Sequence, residues 1–103
     1  MAKEEVYTLG RWLVKPGKED LFVEAWKGLG RFFLLLPEPP GIGTLVQSVD
    51  NPCLFYSFGP WPSKEAVAAM RAHLNTPGEL GKLIALCEEA TPGTFRLVAT
   101  VAQ

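Results

Sequence analysis

The chain has 103 residues, enough for one domain with one hydrophobic core, and 48% of the residues are hydrophobic. Its formal net charge is −1 and it contains no block of basic or acidic residues, which excludes an electrostatic site for nucleic acid or a membrane surface. The longest apolar run, Phe32–Leu36, is far too short to span a bilayer.

The N-terminal third of the chain predicts a strand followed by a helix. Both faces of the predicted strand, Glu5–Val14, carry large apolar side chains, so neither face is expected to be solvated. In the predicted helix, Lys18–Leu36, apolar residues recur at helical spacing. Glu19 and Asp20 lie in its first turn, where carboxylates favour the helix dipole. The last turn of this helix is apolar all round, which predicts a packed corner or a subunit contact.

The middle of the chain predicts a hairpin and then a corner. Two strands, Ile42–Val49 and Cys53–Phe58, are separated by the turn residues Asp50-Asn51-Pro52. The glycine and prolines of Gly59-Pro60-Trp61-Pro62 predict a strand-to-helix corner, and Ser63 is suited to cap the helix that follows.

The C-terminal third predicts two helices and a last strand. The first helix covers Lys64–Leu74, with Lys64 and Arg71 pointing away from its apolar side. Thr76-Pro77-Gly78-Glu79 has the pattern of a capping box and predicts the start of the next helix, whose apolar seam ends with Cys87. Thr91-Pro92-Gly93 is expected to stop that helix, and the last strand is predicted for Thr94–Val101.

This order of elements predicts an α+β fold for a single domain of residues 1–103. Two strand–helix–strand halves joined by a hairpin give a ferredoxin-like βαββαβ fold, with a four-stranded antiparallel sheet and the helices on one face. The other face of the sheet is also apolar, and the chain has nothing left to cover it. We therefore expect a homodimer in which two sheets pack face to face.

Several kinds of site are excluded by the motifs that the chain lacks. Cys53 and Cys87 do not make a disulfide framework and are expected to be free thiols, and residues 1–5 do not resemble a signal peptide, so we predict a cytoplasmic protein. A single histidine, His73, without a cysteine–histidine cluster predicts no metal site. No nucleotide-binding loop or serine-hydrolase elbow is present.

Three segments of the chain carry a family resemblance: Trp12–Asp20, Phe58–Ala66, and Cys87-Glu88-Glu89 with Pro92-Gly93-Thr94. They resemble the antibiotic biosynthesis monooxygenase family of dimeric α+β barrels, and the resemblance covers nearly the whole chain. It implies a monooxygenase that uses O₂ without a cofactor on a small aromatic or quinol-like compound. The alternative is a non-catalytic dimeric barrel that binds a small apolar ligand or serves as an interaction module.

A related branch of that family degrades haem with an asparagine, a tryptophan and a histidine. In this chain the asparagine position falls on Gly10, the tryptophan position on Met70, and the histidine position near Leu80 or Gly81. Since all three residues differ, we do not expect haem as a cofactor.

The candidate site is a pocket between the sheet and the helices. Trp61, Met70 and His73 are predicted on its helical side, and Thr8 and Trp12 on its strand side, with the aromatic side chains holding the substrate and His73 accepting a proton. Each residue also has a structural alternative. His73 can be a boundary histidine with satisfied hydrogen bonds, Trp61 can belong to the core, and Trp12 can fill the space that Gly10 leaves.

Overall fold

A computed structural model describes residues 5–102. The prediction about a signal peptide concerns residues 1–5, of which residues 1–4 lie outside the described range. The helices and strands follow in the order β1 Val6–Val14, α1 Glu19–Phe33, β2 Thr44–Gln47, β3 Leu54–Trp61, α2 Lys64–Ala72, α3 Thr76–Ile84 and β4 Cys87–Arg96.

The four strands form one antiparallel sheet in the order β2-β3-β1-β4. Strand β1 lies in the centre and pairs with β3 on one side and β4 on the other. The buried side chains of α1 and α3, Phe22, Leu29 and Leu83, pack against Trp12 and Val14, which lie on one face of β1. The ferredoxin-like arrangement predicted from the sequence is therefore confirmed.

Two separate cores lie between the sheet and the helices, one near each end of β1. The larger, here called the Phe22 core, consists of buried residues from five elements: Trp12, Val14, Phe22, Leu29, Phe55, Leu83 and Cys87. The smaller, the Trp61 core, consists of Val6, Trp61, Ala66, Val67 and Met70. Between them, β1 and β3 carry only small side chains on the same sheet face: Thr8, Gly10, Ser57 and Gly59. This alternation of large ends and a small centre leaves room under the helices.

Strand β3 continues through the segment that was predicted as a corner. Pro60 lies within β3 opposite Tyr7, so the predicted end of the strand at Phe58 is wrong. The pairing with β2 stops at Phe58, and Pro60 therefore lies where β3 is an edge and its missing N–H is not needed. Ser63 caps α2 as predicted, since its Oγ accepts a hydrogen bond from the Ala66 backbone N–H at 3.1 Å.

Strand β4 begins seven residues earlier than predicted, at Cys87 instead of Thr94. Cys87 therefore opens a strand and does not close the seam of a helix, and Pro92 lies within the strand opposite Gly10. Within residues 5–102, β4 pairs only with β1. It is therefore an edge strand, where a proline and the exposed carboxylates of Glu88 and Glu89 are tolerated.

The helices are shorter than predicted, and the capping box at the start of α3 does not form. Helix α1 ends at Phe33, and α2 ends at Ala72 with His73 as its C-cap residue. Asn75 occupies the N-cap position of α3 without a side-chain cap. The buried Thr76 hydroxyl instead donates to the Met70 carbonyl oxygen at 2.6 Å. This hydrogen bond joins the start of α3 to the last turn of α2.

Candidate functional site

The space between the two cores forms a cleft of about 1230 Å³ between the sheet and the helix layer. Its floor includes the small residues Thr8, Gly10, Ser57 and Gly59, and its walls are largely apolar. All three tryptophans of the chain, Trp12, Trp26 and Trp61, line it. A cleft of this size with aromatic walls has the form of a small-molecule site.

At one end of the cleft, Trp12 occupies the space above Gly10. A Cβ atom on Gly10 would lie 2.6 Å from three atoms of the indole, so the ring packs directly on the glycine. The buried indole Nε1–H donates to the Ser57 Oγ at 2.9 Å, and Ser57 lies opposite Gly10 in the β1–β3 ladder. The Trp12 ring therefore fills the space that Gly10 leaves, as the structural alternative for Trp12 predicts.

At the other end, Trp61 belongs to a core and also lines the cleft. Its side chain is 4% exposed, and its ring meets that of Phe33 edge-on at a centroid distance of 5.2 Å. The indole Nε1–H donates to the Thr8 Oγ1 at 3.0 Å. Trp61 is therefore both a core residue and part of the cleft lining, so the two interpretations of this residue are compatible.

Arg71 joins the helix layer to the edge of the sheet at the mouth of the cleft. Its Nη2 donates to the Thr94 Oγ1 at 2.6 Å, and Thr94 lies directly opposite Thr8 on the neighbouring strand. Arg71 was predicted to point away from the apolar side of α2. In the structure its long side chain reaches β4, and Arg71 lines the cleft.

The ionisable side chains that line the cleft are all cationic. They are Lys27, Arg31 and Arg71, and no aspartate, glutamate, histidine, cysteine or tyrosine lies among the described lining residues. Lys27 pairs with Glu24 at 3.4 Å, whereas neither arginine takes part in an ion pair among residues 5–102. The cleft therefore presents positive charge that the described part of the chain only partly neutralises.

His73 lies outside this lining. Its Nδ1 accepts a hydrogen bond from the Asn75 backbone N–H at 3.0 Å, and its ring meets Phe32 edge-on at 5.2 Å. In neutral imidazole the only free lone pair is then already used. The structure thus brings together Thr8, Trp12, Trp61 and Met70, which all line the cleft, but does not bring His73 to them.

Sequence reasoning missed several lining residues, of which Ser57 and Arg71 matter most here. Ser57 carried a usable signal, because it is the small residue on the inward face of a strand whose neighbours are aromatic. Arg71 carried none, since a helical wheel gives the direction of the Cβ atom but not the reach of a guanidinium group.

The described part of the chain shows neither a metal centre nor a membrane span. Within residues 5–102 there is no group of three or more His, Cys, Asp or Glu side chains placed to hold a metal ion. No helix in the same range is long and apolar enough to cross a bilayer.

Comparison with known proteins supports the fold. No protein-family model matches the sequence, and no curated protein matches it either. SnoaB, a cofactor-independent oxygenase from Streptomyces nogalater, matches with a TM-score of 0.85 and 21% identity, over 97% of this chain and 99% of that one. The chain shares the fold of SnoaB.

Two further solved structures match over nearly their whole length. Both are candidate antibiotic biosynthesis monooxygenases. The protein from Nitrosomonas europaea matches with a TM-score of 0.78 and 16% identity, over 99% of this chain and 98% of that one. The protein from Bordetella bronchiseptica matches with a TM-score of 0.80 and 14% identity, over 96% of this chain and 100% of that one. The resemblance to antibiotic biosynthesis monooxygenases is thereby confirmed at the level of the fold. Identities this low leave the reaction to be argued from the cleft.

Proposed function

We propose that the chain is a cofactor-independent monooxygenase that acts with O₂ on a small aromatic or quinol-like compound. The observation that carries the proposal is the cleft, whose volume of about 1230 Å³ accommodates a flat, multi-ring molecule. The fold shared with SnoaB supports the reaction type. The indole walls supply stacking surfaces, and the small floor between Trp12 and Trp61 leaves the space that such a ring needs.

The proposed reaction takes its electrons from the substrate. With an anthrone, the ring methylene and O₂ form a hydroperoxide, which loses water to leave a carbonyl, so one oxygen atom enters the product and the other leaves as water. The reactive form is the electron-rich phenolate or enolate. Lys27, Arg31 and Arg71 favour that anion because positive charge lowers the pKa of a nearby bound phenol.

His73 stays the predicted proton acceptor, but the proposal does not require it. The imidazole is held by Asn75 outside the lining, and a bound phenol can lose its proton to water when cationic groups stabilise the anion. Product formation by a His73→Ala variant decides the point. An unchanged rate removes His73 from the mechanism, and a large loss restores it.

The chain offers a matched pair of variants that tests whether the cleft is the site. Gly30 and Gly28 lie on α1, and a Cβ atom on either would meet nothing within 4 Å, but only Gly30 lines the cleft. We expect Gly30→Leu to abolish anthrone oxidation above the uncatalysed rate, while Gly28→Leu retains it. With isotopically labelled O₂, mass spectrometry should find one labelled atom in each quinone. Equal activity of the two variants would refute the site.

One observation favours the alternative, a binding protein without a reaction. The described lining has no carboxylate or imidazole that could accept a proton. In that case aromatic compounds bind in the cleft of the wild type and not in Gly30→Leu, but O₂ uptake never exceeds the background. Binding and O₂ uptake, measured on the same preparation, separate the two functions.

We also propose that the protein is a cytoplasmic homodimer of single-domain subunits, joined through the open sheet face. That face is lined by half-exposed apolar side chains, 37% to 53% exposed: Leu9, Val46, Tyr56, Phe58 and Phe95. They are neighbours on adjacent strands, as in the pairs Leu9 with Phe58 and Val46 with Tyr56. The two free cysteines suit a reducing compartment.

The dimer proposal predicts the effect of a charge on this face. Phe58→Glu should convert the dimer into a monomer, as measured by light scattering after size-exclusion chromatography. Val49→Glu places the same charge at a 99% exposed position outside the sheet and should leave the dimer intact. A monomeric wild type would overturn the proposal.

A further inference from the structure

Two hydrogen bonds to neighbouring threonines of the sheet lie beside the cleft. Trp61 donates to Thr8, Thr8 lies opposite Thr94, and Thr94 accepts from Arg71. Each threonine hydroxyl oxygen thus accepts one N–H group, which leaves its own O–H free to donate. No carboxylate takes part in either hydrogen bond.

The guanidinium of Arg71 is held in place but not neutralised. One N–H of Nη2 is used by Thr94, and the remaining donors of the planar group are not engaged in an ion pair within residues 5–102. A guanidinium group with free, parallel N–H donors matches the two oxygens of a carboxylate. Because Arg71 lies at the mouth, a carboxylate bound there would extend from a ring system held deeper in the cleft.

We propose that Arg71 forms an anion subsite that selects aromatic ligands carrying a carboxylate group, with Thr94 as the residue that positions its guanidinium. The inference rests on the proposed function only for the aromatic nature of the ligand. The carboxylate lies beside Arg71 and within reach of the Thr8 hydroxyl, while the ring contacts the apolar walls between Trp12 and Trp61.

The subsite predicts a preference that binding measurements can detect without turnover. The probe pair is 1-hydroxy-2-naphthoate and its methyl ester, which share a ring and differ in charge. In calorimetric titrations at low salt we expect the acid to bind about tenfold more tightly than the ester, because hydrogen bonds between charged groups are stronger than those between neutral groups. The preference is not larger because Arg71 is exposed to solvent, which weakens the charge interaction. Added salt should reduce the preference.

Arg71→Gln should reduce the ratio of the two affinities to about one, since it removes the charge and the fork of donors. Lys64→Gln removes the same charge from the same helix at a residue that does not line the cleft, and should keep the wild-type ratio. Circular dichroism and melting curves establish that both variants fold. A ratio that is unchanged in Arg71→Gln, or lost equally in Lys64→Gln, would overturn the subsite.

The role of Thr94 as a positioning residue has its own readout. Thr94→Val removes the hydroxyl that accepts from Arg71 and should lower the acid-to-ester ratio several-fold, whereas Thr94→Ser keeps the hydroxyl and the ratio. Equal ratios in the two variants would refute this role. O₂ uptake is measured separately. Selective binding of the acid without O₂ uptake overturns the monooxygenase proposal and supports the subsite. Oxidation of both probes without selective binding supports the monooxygenase proposal and overturns the subsite.

Discussion

Replacing Gly10 by alanine should destabilise the protein strongly, although the change adds only one methyl group. The new Cβ atom would lie 2.6 Å from three atoms of the Trp12 indole, so the ring must move. Overpacking of this kind costs about 1–3 kcal/mol. Moving the ring also breaks the buried hydrogen bond from Trp12 to Ser57, which adds about 1–3 kcal/mol. We expect a total near 3 kcal/mol and a melting temperature lower by at least about 10 °C.

Chemical denaturation of Gly10→Ala and of two comparison variants measures this cost. Gly28→Ala introduces the same methyl group in α1, where nothing lies within 4 Å, and should stabilise the protein by roughly 0.5–1 kcal/mol because alanine is the better helix former. In a Trp12→Leu background the indole is absent, so the cost of Gly10→Ala should fall below about 1 kcal/mol. An equal cost in both backgrounds would refute the contact as its cause.

Three further predictions concern Glu19, Cys53 and Thr76. The Glu19 carboxylate accepts a hydrogen bond from the Cys53 thiol at 3.3 Å and raises the pKa of Cys53. Glu19→Gln should therefore speed alkylation of Cys53 at mildly alkaline pH, whereas Glu24→Gln should not. Peptide-resolved mass spectrometry measures the two rates. The pKa of Glu19 is lowered, first by its own backbone N–H and then by the thiol. Its contribution to stability is therefore present above its unfolded-state pKa and is lost as the pH falls through its lowered folded-state pKa. Denaturation curves of Glu19→Gln should accordingly show a smaller loss on acidification, and an identical pH profile would contradict this. Thr76→Val should cost about 1–2 kcal/mol in denaturation because the Met70 carbonyl loses one of its two donors and keeps only the His73 backbone N–H, while Thr76→Ser should cost less.

The topology could be predicted from the sequence, but the limits of the last strand could not. The order of strands and helices follows from periodicity and turn residues, and the sheet order agrees with it. Glu88, Glu89 and Ala90 favour a helix by intrinsic propensity, and Pro92 argues against a strand. Pairing with one side of β1 overrides both preferences. An edge strand can leave its charged side chains in solvent, and it does not use every backbone N–H in pairing.

The candidate site shows a similar division between what strand geometry determines and what side-chain reach determines. Alternation along β1 correctly places Thr8 and Trp12 on one face, since side chains of a strand point to opposite faces in turn. The position of Arg71 depends on a flexible side chain that crosses from α2 to β4, and the position of His73 depends on where α2 ends. A periodic pattern encodes neither the reach of a side chain nor the residue at which a helix ends. Arg71 therefore lines the cleft although it was predicted to point away, and His73 lies outside the lining although it was predicted to be part of it.

The two indoles at the ends of the cleft follow one rule. Trp12 on β1 donates to Ser57 on β3, and Trp61 on β3 donates to Thr8 on β1. In each case the hydroxyl lies opposite a glycine two residues along the strand from the tryptophan, so both rings lean toward the middle of the sheet. An indole whose N–H is satisfied by the sheet can offer its apolar surface to a ligand without leaving a buried donor unpaired. The same two hydrogen bonds therefore stabilise the cores and set the length of the cleft between them.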